Sequence, residues 1–172
     1  MTSMPSIRPA RHEDLDQITA IYNEAGVGTA ASYALEPVTL ADRQAWFGKL
    51  SAEDCPVLVL TSEDEIIGYA SYGTFRALAG YSYTVEHSVY IRSGHRAAGG
   101  GRMLMNALLD YARGRGVHVM VGVIDGDNVD SVTFHERLGF SVTGRLPQVG
   151  RKFGQWRDIV FVARVFDGPE PD

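Results

Sequence analysis

Glu86 stands in the run Thr84-Val85-Glu86-His87-Ser88-Val89-Tyr90-Ile91, whose β-branched and aromatic residues predict a strand. Glutamate is depleted in strands and expensive to bury unpaired. Burial there would raise its pKa toward a value useful to a general base, whereas an exposed or salt-bridged glutamate would have no such role. Shortly after it, His95-Arg96-Ala97-Ala98-Gly99-Gly100-Gly101-Arg102 leads into a predicted helix. Consecutive glycines at a helix start leave backbone N–H groups uncrowded, and with the positive end of the helix dipole they make an anion site. The spacing narrows the anion. No lysine follows the glycines, as a nucleoside-triphosphate loop requires, and Leu104 stands where a dinucleotide fingerprint needs its third glycine. What remains is Arg96-x-x-Gly99-x-Gly101.

Other reactive side chains exclude further classes. The five histidines (His12, His87, His95, His118 and His135) show no His-x-x-x-His spacing or cysteine pairing, so no metal site is expected. Ser88 lacks the Gly-x-Ser-x-Gly setting of an esterase nucleophile. Cys55 is the only cysteine, which rules out a disulfide within the chain and suits a reducing cytoplasm.

Positioning these residues requires elements that the hydrophobic pattern supplies. Leu15, Ile18, Ile21, Tyr22 and Ala25 predict a helix over 13–25, and Thr39 with Asp42 resembles a capping box opening a second helix. Strands are predicted at 56–60 and 66–72, joined by the turn Ser62-Glu63-Asp64-Glu65, and at 84–91. After the glycines, Leu104, Ala107, Leu108, Tyr111 and Ala112 form one helical stripe. A buried strand at 117–124, a helix at 128–138 and closing strands at 140–146 and 159–165 complete the order. The expectation is one mixed α/β domain over residues 1–166 with a flexible tail at 167–172. Its 172 residues suffice for a core without staples. The net charge of −5 and the absence of a basic stripe argue against free nucleic acid as a partner. No signal-peptide or membrane-spanning stretch is expected, and cytoplasm is the default location.

The Arg96-x-x-Gly99-x-Gly101 turn resembles that of the GNAT acetyltransferase superfamily, where it grips the pyrophosphate of acetyl-CoA. The strand Thr84–Ile91 together with Gly68–Gly73, His118–Val121, His135–Phe140 and Val149–Trp156 is similar to the phosphinothricin and methionine sulfoximine acetyltransferases. These segments lie in the right order and cover the chain from about Ile7 to Val165. The resemblance implies a single-domain fold with a mostly antiparallel central sheet and about four helices. It implies acetyl-CoA as cosubstrate and N-acetylation of a small amino-acid-like amine, with Glu86 as general base directly or through a water.

Further site residues follow from the same resemblance. The main chain of Val89, Tyr90 and Ile91 would polarise the thioester and pair with pantetheine. Donors from Ala97, Ala98, Gly99, Gly100, Gly101 and Arg102 would hold the pyrophosphate. Arg96 and Arg102 either add charge or remain solvated. His135, where many relatives have tyrosine, either protonates the departing thiolate or only contacts the cofactor. Asn128 is an amide contact, an ordinary helix N-cap, or both. Phe75, Arg76, Ala77, Leu78, Glu86, His87 and Ser88 fall on the acceptor side, with 75–83 as a mobile loop and Arg76 as a carboxylate clamp or a solvated arginine. Lys152, Phe153 and Trp156 are placed near the site and a homodimer contact. Ser82 departs from relatives that carry a second arginine there, which puts phosphinothricin and methionine sulfoximine themselves in doubt as substrates. A protein or peptide acetyltransferase and a non-catalytic acyl-CoA-binding domain are the competing readings.

Overall fold

The computed structural model describes residues 4–168. Most of the expected tail, from residue 169 onward, lies outside the described residues. The described residues pack as two compact units, 4–73 with 88–108 and 74–87 with 109–168. Among the described residues, seven strands and four α-helices make the mixed α/β fold that the sequence predicts.

In the first unit β1 (Ser6–Pro9), β2 (Val57–Ser62) and β3 (Glu65–Thr74) are antiparallel neighbours, with Ile7 opposite Leu60 and Leu58 opposite Ala70. Helix α1 (Leu15–Ile21) buries Leu15, Ile18 and Ile21 against Val57, Val59, Ile66 and Tyr69. The expected helix through Ala25 does not stay regular. From Tyr22 to Val27 it widens into a π-helical turn, where Gly26 lets rings close in. A Cβ on Gly26 would lie 3.1 Å from the Tyr90 ring and 3.2 Å from that of Tyr22. Helix α2 (Leu40–Ala52) starts as expected: Thr39 Oγ1 accepts from the Asp42 N–H at 3.1 Å, and Asp42 Oδ2 accepts from the Thr39 N–H at 2.8 Å. Arg43 of α2 is buried, its guanidinium stacked 4.1 Å from the Tyr22 ring centre and 4.6 Å from that of Trp46. Its charge is sheltered by aromatic faces.

The second unit contains β5 (Val119–Asp125), α4 (Val129–Arg137), β6 (Ser141–Lys152) and β7 (Gln155–Val165), ordered β5-β7-β6 beside the first half of β4 (Thr84–Ile91). β4 and β5 run parallel, Glu86 facing Val121 across the ladder, while β5–β7 and β6–β7 are antiparallel. The closing strands are longer than the sequence predicts. The predicted strand ends at Leu146, but β6 continues past Pro147 through an irregularity between Leu146 and Gly150, with Gln148 at φ 56°. Proline is admitted at such a point because β6 is the edge of the sheet. The hairpin then turns at Phe153 (φ 53°) and Gly154 (φ 73°), a two-residue connection that suits strand twist. Helix α3 (Gly100–Gly114) begins inside the glycine run rather than after it. Among the described residues no helix is long and apolar enough to cross a membrane.

Candidate active site

Strand β4 alternates as a half-buried strand should: Val85 and His87 are buried and Glu86 is exposed. The Glu86 carboxylate makes no hydrogen bond or ion pair among the described residues. Surrounding protein still removes enough water to push it above the usual carboxylate range. Of the two plain alternatives the salt bridge is absent, but the exposure is present: Glu86 is an unpaired carboxylate open to solvent on one side and shielded by protein on the other.

His87 turns its ring to the opposite face, where the buried ring of His135 from α4 meets it. The two Nε2 atoms are 2.9 Å apart and the ring centroids 5.0 Å apart. His87 Nδ1 lies 3.0 Å from the Val121 carbonyl oxygen, and His135 Nδ1 lies 2.7 Å from that of Ser131, one helical turn earlier. Phe140 covers both rings, at 5.3 Å from each centroid. Burial pushes both imidazoles below their ordinary range, His87 to about 3 with His135 adding to the effect. At neutral pH the pair is uncharged.

The space for this arrangement comes from Gly122. A Cβ there would sit 2.7 Å from Cε1 of His87 and 2.8 Å from Cγ2 of Val162. Replacing Gly122 by Ala should therefore displace the His87 ring and destabilise the fold by about 1–3 kcal/mol through overpacking. Urea unfolding should show a lower midpoint with unchanged m-value, and an unchanged midpoint would mean the ring has free room to move.

Helix α4 is launched by Asn128, whose Oδ1 accepts from the Ser131 N–H at 3.1 Å. The N-cap reading of Asn128 thus holds. Before it, the turn from β5 is pinned by buried Asp125, whose Oδ1 also accepts from the Asp127 N–H at 3.1 Å. Arg157 donates to both Asp125 oxygens, from Nε at 2.6 Å and from an NH2 nitrogen at 2.9 Å. Sequence reading missed Asp125, Arg157 and Gly122. Only the alternation in β4, which sends His87 to the face opposite Glu86, hinted at the histidine pairing.

The glycine turn lies in the first unit. Arg96, Ala97 and Ala98 form an exposed 3₁₀ turn, Gly99 adopts φ 76°, and α3 starts at Gly100. The leading N–H groups of a helix have no acceptor within it, so Gly100, Gly101 and Arg102 present donors. Gly100 is also a packing position, since a Cβ there would approach Leu60 Cδ2 to 2.6 Å. Main-chain donors in αL-to-helix geometry match an anionic phosphate. Val89, Tyr90 and Ile91 are half-buried, and Gly68 lets β3 approach them: a Cβ on it would meet Ile91 Cδ1 at 2.5 Å and the Tyr90 carbonyl oxygen at 3.0 Å. Ser88 is exposed.

On the acceptor side, Arg76, Ala77 and Leu78 are exposed and Phe75 is half-buried. Arg76 stacks 5.5 Å from Phe75 and 6.0 Å from Tyr81, and forms no ion pair among the described residues. Phe153 lies in the hairpin turn and Trp156 just after it, and both are exposed, whereas Lys152 is buried.

An acetyltransferase (GNAT) domain family model matches residues 7–161. The chain belongs to this family of N-acetyltransferases, whose donor is acetyl-CoA. It is 48% identical over 158 residues to an L-methionine sulfoximine/L-methionine sulfone acetyltransferase of Pseudomonas aeruginosa, covering 91% of this chain and 92% of that one. It is 44% identical over 168 residues to an L-amino acid N-acyltransferase of Escherichia coli K12, covering 97% and 98%. Among solved structures, an acetyltransferase of Salmonella typhimurium with its cofactor acetyl-CoA superposes with a TM-score of 0.93 at 43% identity, covering 98% of each chain. A phosphinothricin acetyltransferase of Sinorhizobium meliloti in complex with acetyl-CoA gives 0.90 at 31% identity, covering 94% of this chain and 88% of that one.

Proposed function

We propose that this chain transfers the acetyl group of acetyl-CoA to the amine of a small, free amino acid or amino-acid analogue in the cytoplasm. The observation that carries this reading is Glu86: a carboxylate with no hydrogen bond or ion pair among the described residues, exposed on β4 yet held above its usual range by the protein around it. The relatives named for methionine sulfoximine, methionine sulfone and L-amino acids supply the substrate class.

The chemistry follows from the groups present. An ammonium substrate must lose a proton before its nitrogen can attack the thioester, and Glu86 takes that proton directly or through a water. The N–C bond forms as the C–S bond breaks. The products are the acetylated amine, CoA thiol and one released proton. Main-chain groups at Val89, Tyr90 and Ile91 stabilise the developing oxyanion and pair with pantetheine. The donors from Ala97 to Arg102, with Arg96, hold the pyrophosphate, and Asn128 adds an amide contact beside its cap. His135 is the candidate donor to the thiolate. Since burial keeps it neutral, the proton it gives must first be taken up.

Arg76 is the proposed clamp for the substrate carboxylate, with Phe75, Ala77, Leu78 and Ser88 in the acceptor region; His87, expected there from the sequence, is instead buried against His135 on the face opposite Glu86. Without an arginine at Ser82 one anchor is absent, which shifts preference away from phosphinates and sulfoximines toward plain amino acids. Arg76→Ala should raise KM for the amine about 10- to 100-fold with little change in kcat, as expected for lost ground-state binding. A large fall in kcat at constant KM would move Arg76 out of substrate binding. Residues 1–166 make up the acetyltransferase domain in this reading, with 167–172 as a tail. A homodimer is proposed through the hairpin region, where Leu146, Val149, Phe153 and Trp156 are exposed apolar side chains.

The test is CoA thiol release from acetyl-CoA across methionine sulfoximine, methionine sulfone, phosphinothricin, the common amino acids and short peptides. Release with free amino acids or analogues supports the reading. Release with peptides alone would replace it by a peptide acetyltransferase, and acetyl-CoA binding with no release by a non-catalytic acyl-CoA-binding domain.

A further inference from the structure

His87 and His135 have four ring nitrogens and three contacts that each need one proton. Val121 and Ser131 offer only carbonyl oxygens to the two Nδ1 atoms, at 3.0 and 2.7 Å, so each bond requires an Nδ1–H. The Nε2···Nε2 approach of 2.9 Å requires a third proton between the rings. Two neutral imidazoles carry only two protons. In the neutral pair, one of the three contacts therefore sets lone pair against lone pair. The Ser131 hydroxyl, 3.5 Å from His135 Nδ1, offers only a long alternative.

We propose that His87 is a positioning residue for acetyl transfer, forming with His135 a two-imidazole unit that binds a single proton across the Nε2···Nε2 contact. That proton completes all three hydrogen bonds at once, and neither ring can bind it without the other. Burial opposes the charge, which keeps the unit empty at neutral pH and ready to accept. His135 sits in the last turn of α4, whose carbonyl end favours a cation.

No other ionisable group contests the proton. Among the described residues no other ionisable side chain hydrogen-bonds either ring. β5 brings the Val121 carbonyl and the bare Gly122, and β7 brings Val162. α4 brings Ser131 and Phe134, and Phe140 follows it. Glu86 belongs to the other face of β4, and Arg164 is bound to the Leu138 carbonyl at the end of α4. The role of His135 as thiolate donor rests on the acetyltransferase reading above, but the shared proton does not.

The experiment is a pH titration of the full chain labelled with 15N-histidine, read by long-range 1H–15N NMR, with kinetics of His87→Phe alongside. Both rings should shift together in one step of one proton, and both Nδ1 atoms should stay protonated throughout. Rings that titrate independently, or a resting pair with an unprotonated Nδ1 on the alkaline side of the step, would overturn the proposal. This readout needs no acceptor substrate, so it stands or falls separately from the activity. His87→Phe keeps ring volume beside Phe140 but leaves His135 without its Nε2 partner. It should lower kcat about tenfold, leave KM for acetyl-CoA unchanged, and move the alkaline limb of kcat about one unit toward lower pH. An alkaline limb identical to that of the parent enzyme sinks the positioning role. If His87→Phe fails to fold, the titration of the parent chain decides.

Discussion

Glu86→Gln should lower kcat by a factor of about 10²–10⁴ while acetyl-CoA still binds, because the amide keeps the shape of the side chain but cannot accept the substrate's proton. The pH dependence gives the sharper version. The Glu86 carboxyl is held above its ordinary range by loss of water. The base is present only above that raised pKa, so kcat for the parent enzyme should decline as pH falls through it. In Glu86→Gln that acid limb should vanish, leaving a low rate that declines only on the alkaline side. The same carboxyl slightly opposes folding: its raised native pKa means that stability from this group is greatest when it is protonated and declines as pH rises through the raised value. Glu86→Gln should thus fold at least as well as the parent at pH 7. Retained activity with an intact acid limb would remove Glu86 from the reaction.

Glu86 stood out in the sequence as a carboxylate among Thr, Val and Tyr, but its role as base came from the family resemblance, because the residues alone fit an ordinary exposed glutamate equally well. The capping pair Thr39 and Asp42 was equally local, and so was the glycine run, since a positive φ at Gly99 and open N–H groups are properties of a few adjacent residues. The widening after Tyr22 was not legible. It depends on rings from Tyr22 and Tyr90 meeting over Gly26, and Tyr90 is 64 positions away in the chain. The predicted end at Leu146 fell short for the opposite reason: β6 runs on through Pro147, which an edge strand can hold, and nothing local reveals that β6 is an edge. The histidine pair needed both kinds of information. Period-2 alternation sends His87 away from Glu86, but only the packing of α4 delivers His135, 48 positions later, to the same place. Gly122 falls in an apolar run whose sequence promises coverage on both faces without saying what does the covering.

Arg157→Ala should destabilise the fold by about 3–5 kcal/mol, more than the loss of most surface arginines, because it strands a buried charge. The Asp125 side chain is 2% exposed and Arg157 13%, so water cannot replace the guanidinium at Asp125. The bidentate geometry, at 2.6 and 2.9 Å, fixes both carboxylate oxygens. Asp125 ends β5 and its Oδ1 holds the Asp127 N–H, one residue before the Asn128 cap of α4. The same substitution should therefore loosen the start of α4 and with it the register of His135, so that kcat falls further than KM for the amine changes. Arg157→Lys tests geometry against charge: a single ammonium neutralises Asp125 but cannot grip two oxygens, and it should recover only part of the loss. Urea unfolding of the three proteins separates these terms. A full recovery by lysine would show that charge alone matters at Asp125, and a cost below about 1 kcal/mol for alanine would show that Asp125 reaches water or a proton once its partner is gone.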